Sequence, residues 1–368
     1  MKIVFDHQIF RAQQYGGVSR YFYEVAKQLS ADKNCDVEIF APLYVNEYLG
    51  MASNVRIRGK KIKSVPYSAY LRKGINNALT RMMVTPRKEI DIFHETFFTQ
   101  LDNRPHSAKG LVTVYDMIHE KFPDFFPARS NFQKRKACAV KRADHVICIS
   151  ENTRQDLIEL LDVPEEKTSV VYLGHSLSRP IEAITPENSE KSFILYVGNR
   201  DGYKNYELML RAYASSKSLK SEISIICFGG GSVTTRERDL MASLNLPPDC
   251  VKYMGGDDSI LASLYASAKV FVYPSLYEGF GIPPLEAMAF GCPVVCANTS
   301  SIPEVVGDAA ELFNPESESE LRAAMEKVVF SQEHAARLVA KGHERIKLFS
   351  WEKCAMDTLA VYEKILGK

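Results

Sequence analysis

Nothing in this 368-residue sequence approaches the roughly 18 consecutive apolar residues of a membrane span. No two of its eight cysteines form a C-x-x-C pair, and several lie inside apolar runs such as HVICIS and ISIICFG. That usage excludes a disulfide framework and a zinc ribbon, and fits free thiols in a reducing compartment. A G-x-G-x-x-G fingerprint is missing, and Gly229-Gly230-Gly231 does not supply one, which counts against a dehydrogenase. Charge of one sign is not in excess either. The net charge of +1 gives no sign of a nucleic-acid partner, but it hides an asymmetry. Residues 1–180 hold 27 basic and 20 acidic side chains, while residues 181–368 hold 19 and 25. Two halves of opposite sign suggest two domains with different jobs, and the length independently calls for two cores. The start, MKIVFDHQIF, sets Asp6 and His7 after a short apolar stretch and reads as a first strand, so a cytoplasmic location is expected.

What is present is a repeating alternation. Short β-branched and aromatic runs occur at 2–6, 36–42, 91–95, 110–116, 145–150 and 169–174, then at 193–198, 223–230, 251–255, 269–275 and 293–298. Continuous apolar runs suit strands covered on both faces, as in parallel sheets. Helical patterns lie between them; residues 18–29 place Val18, Tyr21, Phe22, Val25, Ala26 and Leu29 on one stripe. Strand alternating with helix, twice over, predicts an α/β chain with two doubly wound, Rossmann-like sheets. The expected division is residues 1–175, a linker over 176–192 and a second domain over 193–349. The linker assignment rests on proline, serine and lost periodicity. A last amphipathic helix is expected over 350–368, with Trp351, Ala355, Leu359 and Tyr362 on one face.

Three segments carry chemistry. PSLYEGFGIPPLEAMAFGCPVVCAN (274–298) reads strand, glycine loop, helix, strand. Pro283 and Pro284 suit a first helical turn, and Gly291 suits a helix stop. Gly279, Phe280 and Gly281 would then bring backbone N–H groups to a helix start, which favours phosphate. Glu278 is placed on the loop and Glu286 in the first turn; the plain reading of Glu286 is a carboxylate complementing the helix dipole. In YVGNRDGYKNYELMLRAY (196–213), Arg200 and Lys204 follow a strand, where ligands of open α/β sheets bind and cations can neutralise a diphosphate. Taken alone, that loop is an ordinary solvated one. Gly16 and Gly17, between the first strand and first helix, permit close approach of backbone to an anion. Residues 48–88 carry ten cations and no acidic residue. They read either as a solvated, partly mobile surface or as a basic patch attracting anionic lipid or a lipid-diphosphate acceptor, with 56–88 as a peripheral contact at the inner face of a membrane.

Together these segments resemble the retaining glycosyltransferases of family 4, which have the GT-B fold, and the likeness covers nearly the whole chain. EGFGIPPLE, from Glu278 to Glu286, matches that family's E-x7-E signature; Gly198, Arg200 and Lys204 match its G-x-R…K element. GGVSRY, ISENTRQDL, EVVGDAAELFNP and FSWEK are similar too. The resemblance implies two Rossmann-like domains facing a central cleft, with the last helix crossing back to the first domain. It implies that Arg200 and Lys204 hold a donor diphosphate with help from Gly17, and that Glu286 binds ribose. Glu278 and the amides of Gly279–Gly281 would hold the donor sugar, with no metal and no cofactor, in keeping with the missing D-x-D motif. Many members have His-Asp where this chain has Tyr115-Asp116; His119 is the candidate substitute, and His94 a further candidate contact. The opening segment and YVGNRDGYKN resemble bacterial O-antigen or capsule mannosyl- and rhamnosyltransferases. That makes GDP-mannose the first donor to try and a saccharide or lipid-linked saccharide the expected acceptor. A GT-B-fold epimerase or phosphorylase, and a catalytically silent nucleotide-sugar-binding subunit, stay open as alternatives.

Overall fold

A computed structural model of the chain describes residues 1–51, 54–63, 68–126, 131–175, 192–200 and 202–368. The expected linker, apart from Ser192, lies outside the described residues. Two compact units are present, one formed by Met1–Gly174 together with Ser350–Lys368, the other by His175–Phe349.

The first unit is built on seven strands among the described residues: β1 (Lys2–Phe5), β2 (Asp36–Tyr44), β3 (Arg56–Lys61), β4 (Ile92–Glu95), β5 (Lys109–Val114), β6 (His145–Cys148) and β7 (Thr168–Val170). All pair in parallel, in the order β3-β2-β1-β4-β5-β6-β7, so the winding reverses between β1 and β4. Central strands are buried on both faces, as Ile3, Val4 and Phe5 show. Each such side chain contributes about 1.5–3 kcal/mol on burial. The helix Gly17–Leu29 turns Tyr21, Phe22, Val25, Ala26 and Leu29 inward, and the last helix, Trp351–Leu366, packs against it. Ser350 caps that last helix by accepting from the Lys353 amide at 3.0 Å. A Cβ on Gly174 would stand 2.3 Å from the Trp351 amide nitrogen, so only glycine fits beneath the helix start.

The basic segment is more structured than the sequence suggested. It contains the edge strand β3 and a helix, Ser68–Met83. β3 escapes sequence reading because its RIRGKK is charged and largely exposed. Pairing with β2 and neutralisation from neighbouring carboxylates hold it in place. Arg56 meets Asp36 at 2.8 Å, Arg58 meets Glu38 at 3.4 Å, Arg87 meets Glu38 at 2.8 Å, and Lys61 pairs with Glu47.

The second unit carries six strands among the described residues: β8 (Ser192–Val197), β9 (Ile223–Phe228), β10 (Val251–Met254), β11 (Val270–Tyr273), β12 (Val294–Ala297) and β13 (Glu311–Phe313). They too are all parallel, ordered β10-β9-β8-β11-β12-β13. The winding here reverses between β8 and β11. In an open parallel sheet the loops leaving the two strands at such a reversal diverge and leave a crevice, the place where ligands bind.

Candidate active site

The loops leaving β8 and β11 are the two that carry the charged motifs. Folding joins them directly: the Leu276 amide donates to the Tyr203 carbonyl at 2.8 Å, and Lys204 Nζ donates to Glu278 Oε1 at 2.7 Å. Lys204 also lies 5.0 Å from the Tyr203 ring centroid and 5.7 Å from that of Tyr273. Burial works against the charged ammonium, but the Glu278 carboxylate outweighs it and holds the lysine pKa above its usual value. Lys204 is therefore a fixed cation at the sheet's reversal point.

Arg200 is placed differently. Its Nε donates to Glu237 Oε1 at 2.5 Å, one terminal nitrogen donates to the Gly229 carbonyl at 2.8 Å, and the other to the Gly231 and Ser232 carbonyls at 3.1 and 3.0 Å. Four of the five guanidinium N–H groups are thus committed within the protein, and the group lies 4.7 Å over the Tyr253 ring. Arg200 organises the turn after β9, where Gly229, Gly230 and Gly231 all have positive φ. A Cβ on Gly230 would come within 2.7 Å of the guanidinium. Sequence reasoning set that triglycine aside and missed Glu237. The signal was there: T-T-R-E (234–237) is a capping box, and the Glu237 side chain accepts from the Thr234 amide at 2.6 Å.

The E-x7-E segment makes the loop and helix start expected of it. Gly281 precedes the helix Ile282–Ala289 with φ of 103°, a conformation that favours glycine, and Gly291 closes the turn after it with φ of 73°. Glu278 donates its amide to Ser300 Oγ at 3.0 Å. The Ser301 hydroxyl lies 2.9 Å from both the Glu278 and Phe280 carbonyls. Because peptide units are planar and trans, carbonyls turned toward Ser301 aim the Gly279 and Gly281 N–H groups the other way. Phe280 is buried edge-on against Phe349, with centroids 5.7 Å apart. Beside this loop, the buried Ser275 Oγ has no hydrogen-bond partner among the described residues. Glu286 falls in the second turn of its helix, not the first, so the helix-dipole explanation of its charge weakens. It is buried near the Tyr265 hydroxyl, at 3.5 Å.

In the first unit, Gly16 and Gly17 open the helix Gly17–Leu29. The space over Gly17 is clear, whereas Gly16 is covered by the Gln13 side chain, which also accepts from the Ser19 amide at 3.2 Å. Among the described residues no three His, Cys, Asp or Glu side chains are grouped to hold a metal ion.

Two family profiles together span this architecture. One, described as Glycosyltransferase Family 4, matches residues 15–179; the other, Glycosyl transferases group 1, matches residues 178–345. The chain belongs to glycosyltransferase family 4. It is 26% identical to O-antigen chain mannosyltransferase B of Escherichia coli, over 99% of this chain and all of that protein. It is 40% identical to the MMP alpha-(1->4)-mannosyltransferase of Mycolicibacterium hassiacum over 64% of this chain and 57% of that one. Among solved structures it superposes on Anabaena HepE in complex with UDP and glucose with a TM-score of 0.73, at 18% identity, covering 99% of this chain and 100% of that one. The fold is GT-B.

Within this glycosyltransferase the remaining candidates gather around the ends of β4 and β5. His94 is fully buried; Nδ1 pairs with the Tyr362 hydroxyl at 2.7 Å and Nε2 with Thr113 Oγ1 at 2.9 Å. Burial pushes its pKa down to about 3. It fastens the last helix to the sheet and is a core residue, not a ligand contact. Tyr115 donates its hydroxyl to the Thr96 carbonyl at 3.2 Å inside an aromatic cluster with Tyr21, Phe22 and Phe98. Asp116 is half-buried and accepts from the Ile118 amide at 3.2 Å. The His119 ring is sandwiched between Phe126 and Phe132, with centroids 3.9 and 4.1 Å away. Its Nδ1 has no partner among the described residues, and burial lowers its pKa. Of the pair weighed for the histidine position, His119 keeps an uncommitted polar atom while Tyr115 has spent its hydroxyl.

Proposed function

We propose that this glycosyltransferase is a retaining, metal-independent hexosyltransferase moving mannose from GDP-mannose to a saccharide or lipid-linked saccharide during surface-polysaccharide synthesis. The observation that carries the reading is the Lys204–Glu278 pair, set beside the Gly279–Gly281 helix start where the second sheet reverses. Both relatives named above are described as mannosyltransferases, which favours mannose. HepE is described with UDP and glucose, which keeps a uridine donor as the second reading.

In this proposal the donor diphosphate draws Lys204 away from Glu278 and lies against the start of the helix Ile282–Ala289, where amides and the helix dipole stabilise negative charge. Glu278, released, orients hydroxyls of the sugar; Glu286 holds the ribose. The acceptor hydroxyl attacks the anomeric carbon on the face from which the diphosphate leaves. Its oxygen bonds to carbon as the carbon–phosphate-oxygen bond breaks, and its proton passes to the departing diphosphate. Charge growing on that leaving group is stabilised chiefly by Lys204, with Arg200 holding the neighbouring turn. Positioning and preorganised electrostatics then carry catalysis, with little protein acid–base chemistry.

The test is product analysis over a panel of GDP- and UDP-sugars, with and without saccharide acceptors and with a chelator. GDP-mannose should be cleaved, the anomeric configuration kept, and the chelator without effect. Cleavage of no nucleotide sugar would overturn the assignment as a transferase. An isomerised sugar formed without acceptor would point to the epimerase reading. Inverted product, or inhibition by the chelator, would remove the retaining or the metal-independent part.

Peripheral membrane contact belongs to the same proposal. No helix among the described residues is long and apolar enough to cross a membrane. The helix Ser68–Met83 exposes Tyr70, Leu71 and Met82 at 87, 70 and 67% beside Arg81. Apolar side chains presented among cations suit an anionic lipid surface. Sedimentation with anionic but not neutral vesicles, fading as salt rises, is expected; equal binding to both would refute it.

A further inference from the structure

β12 runs parallel to β11, with Cys296 opposite Tyr273, so the loops leaving the two strands are neighbours. The loop after β12 reads Asn298-Thr299-Ser300-Ser301 and leads into the helix Ile302–Val306. Its three hydroxyl side chains all bond to the backbone of the loop that carries Glu278. Thr299 Oγ1 donates to the Leu276 carbonyl at 3.3 Å, and Ser300 Oγ accepts from the Glu278 amide at 3.0 Å. The buried Ser301 hydroxyl is shared between the Glu278 and Phe280 carbonyls, 2.9 Å from each.

The two serines hold both peptide planes that meet at Glu278. Peptide units are rigid, so fixing the plane before a residue and the plane after it fixes its φ and ψ. Only side-chain torsions then remain between that backbone and the carboxylate that meets Lys204 at 2.7 Å. On its other flank the same loop is tied by the Leu276 amide to the Tyr203 carbonyl, next to Lys204.

Ser300 does this from an unfavourable backbone. Its φ is 51°, in the left-handed region that favours glycine. The other non-glycine residues with positive φ among the described residues are Asp162, Asn205 and Asn245, of types that tolerate this conformation. Glycine at 300 would relieve the backbone but remove the acceptor that the Glu278 amide uses. Strain held beside a charged loop, at the reversal point of the sheet, points to a task for that hydroxyl.

We propose that Ser300 is a positioning residue for glycosyl transfer, which with Ser301 fixes the backbone of Glu278 so that its carboxylate is aimed at the donor sugar. This rests on the reading of Glu278 as the group that orients that sugar. Ser300 acts through the loop and not on the donor itself.

The experiment compares Ser300→Gly, Ser300→Ala and Ser300→Asn with the parent and with Glu278→Gln. It measures turnover of GDP-mannose, or of whichever nucleotide sugar the parent cleaves, together with GDP affinity, melting and hydrogen exchange of the Glu278 amide. Ser300→Gly loses a hydrogen bond but also the left-handed strain, so it should melt within about 3 °C of the parent. Ser300→Ala keeps the strain and should melt lower than the glycine variant. Both should turn over at least about tenfold more slowly, with GDP affinity unchanged and the Glu278 amide exchanging faster. Ser300→Asn tolerates the backbone and brings a side-chain oxygen, so it should recover part of the turnover. A merely structural serine would let turnover follow melting, leaving the glycine variant near the parent. That result, or parental exchange of the Glu278 amide in Ser300→Gly, would overturn the proposal. Ser300→Gly combined with Glu278→Gln should be no slower than Glu278→Gln alone; losses that multiply would overturn it too. If Glu278→Gln turns over like the parent while Ser300→Gly is slow, the reading of Glu278 fails and the hold of Ser300 on the loop stands; the reverse pattern overturns the proposal alone. Amide exchange needs no donor, so it decides on Ser300 even where no nucleotide sugar is cleaved and the donor reading has failed.

Discussion

Replacing Arg200 by alanine should cost fold stability as well as donor binding, and the structure indicates how much. The substitution removes the ion pair to Glu237 and three hydrogen bonds to the carbonyls of Gly229, Gly231 and Ser232. Hydrogen bonds to charged groups contribute about 1.5–3 kcal/mol each, and bonds sharing one group do not simply add. Glu237 keeps the Thr234 amide as a partner, so the loss stays near about 3 kcal/mol, the low end for breaking a shielded ion pair. At about 2–4 °C per kcal/mol for a unit of this size, the second unit should melt roughly 6–12 °C lower. Arg200→Lys should fall in between, since an ammonium cannot reproduce the planar fork. A pH dependence follows. Burial raises the Glu237 pKa, but Arg200 and the Thr234 amide outweigh it and hold it below its ordinary value. Such a carboxyl stabilises the fold above its unfolded pKa of about 4.3 and loses that contribution as pH falls through the folded value. The gap between parent and variant should therefore narrow below about pH 4. Scanning calorimetry at pH 7 and at about pH 3 measures both. A variant that melts within a degree of the parent, yet no longer binds nucleoside diphosphate, would refute the internal role and return Arg200 to direct contact with the donor.

Glu278→Gln should cut turnover far more than nucleoside diphosphate affinity, because the neutral amide frees Lys204 but orients the sugar poorly; Glu286→Ala should weaken the nucleotide itself. Calorimetry beside initial rates separates the two, and a reversed pattern would exchange their roles. His119→Ala should lower turnover with nucleotide affinity unchanged, while Tyr115→Phe should cost about 1 kcal/mol of stability, the ordinary contribution of one hydrogen bond, and little activity; the opposite result would put the tyrosine hydroxyl in the site. Burial pushes His7 and His94 to about 3 and His145 to about 4. Their unfolded forms take up protons below about pH 6.5, so stability should hold above that pH and fall beneath it, by up to about 1.4 kcal/mol per pH unit for each histidine. Urea midpoints between pH 7.5 and 5 test this, with a shallower slope for His94→Gln; a flat profile would contradict it.

Eleven of the thirteen strands announce themselves as short runs of valine, isoleucine, phenylalanine and tyrosine, because a strand covered on both faces must be apolar along its length. The two that do not, β3 and β13, sit at the edges of their sheets. RIRGKK is held by carboxylates on neighbouring segments, and ELF is only three residues long, so neither carries the apolar signal of a central strand. The loop chemistry of Gly279–Gly281, the prolines after it and the cations after β8 was equally legible, since turn conformation and helix capping depend on residues a few positions apart. What the sequence determined by itself was the class of fold and the two charged segments that follow β8 and β11. Only the tertiary structure decided what the charges do there. It turned Arg200 inward to Glu237 and the triglycine turn, paired Lys204 with Glu278 across 74 residues, and spent His94 on Tyr362, 268 residues away. The reason is physical: apolar pattern and turn chemistry act locally, but a charged or hydrogen-bonding side chain takes whichever partner the strand order brings within about 3 Å, and that order is a property of the assembled sheet.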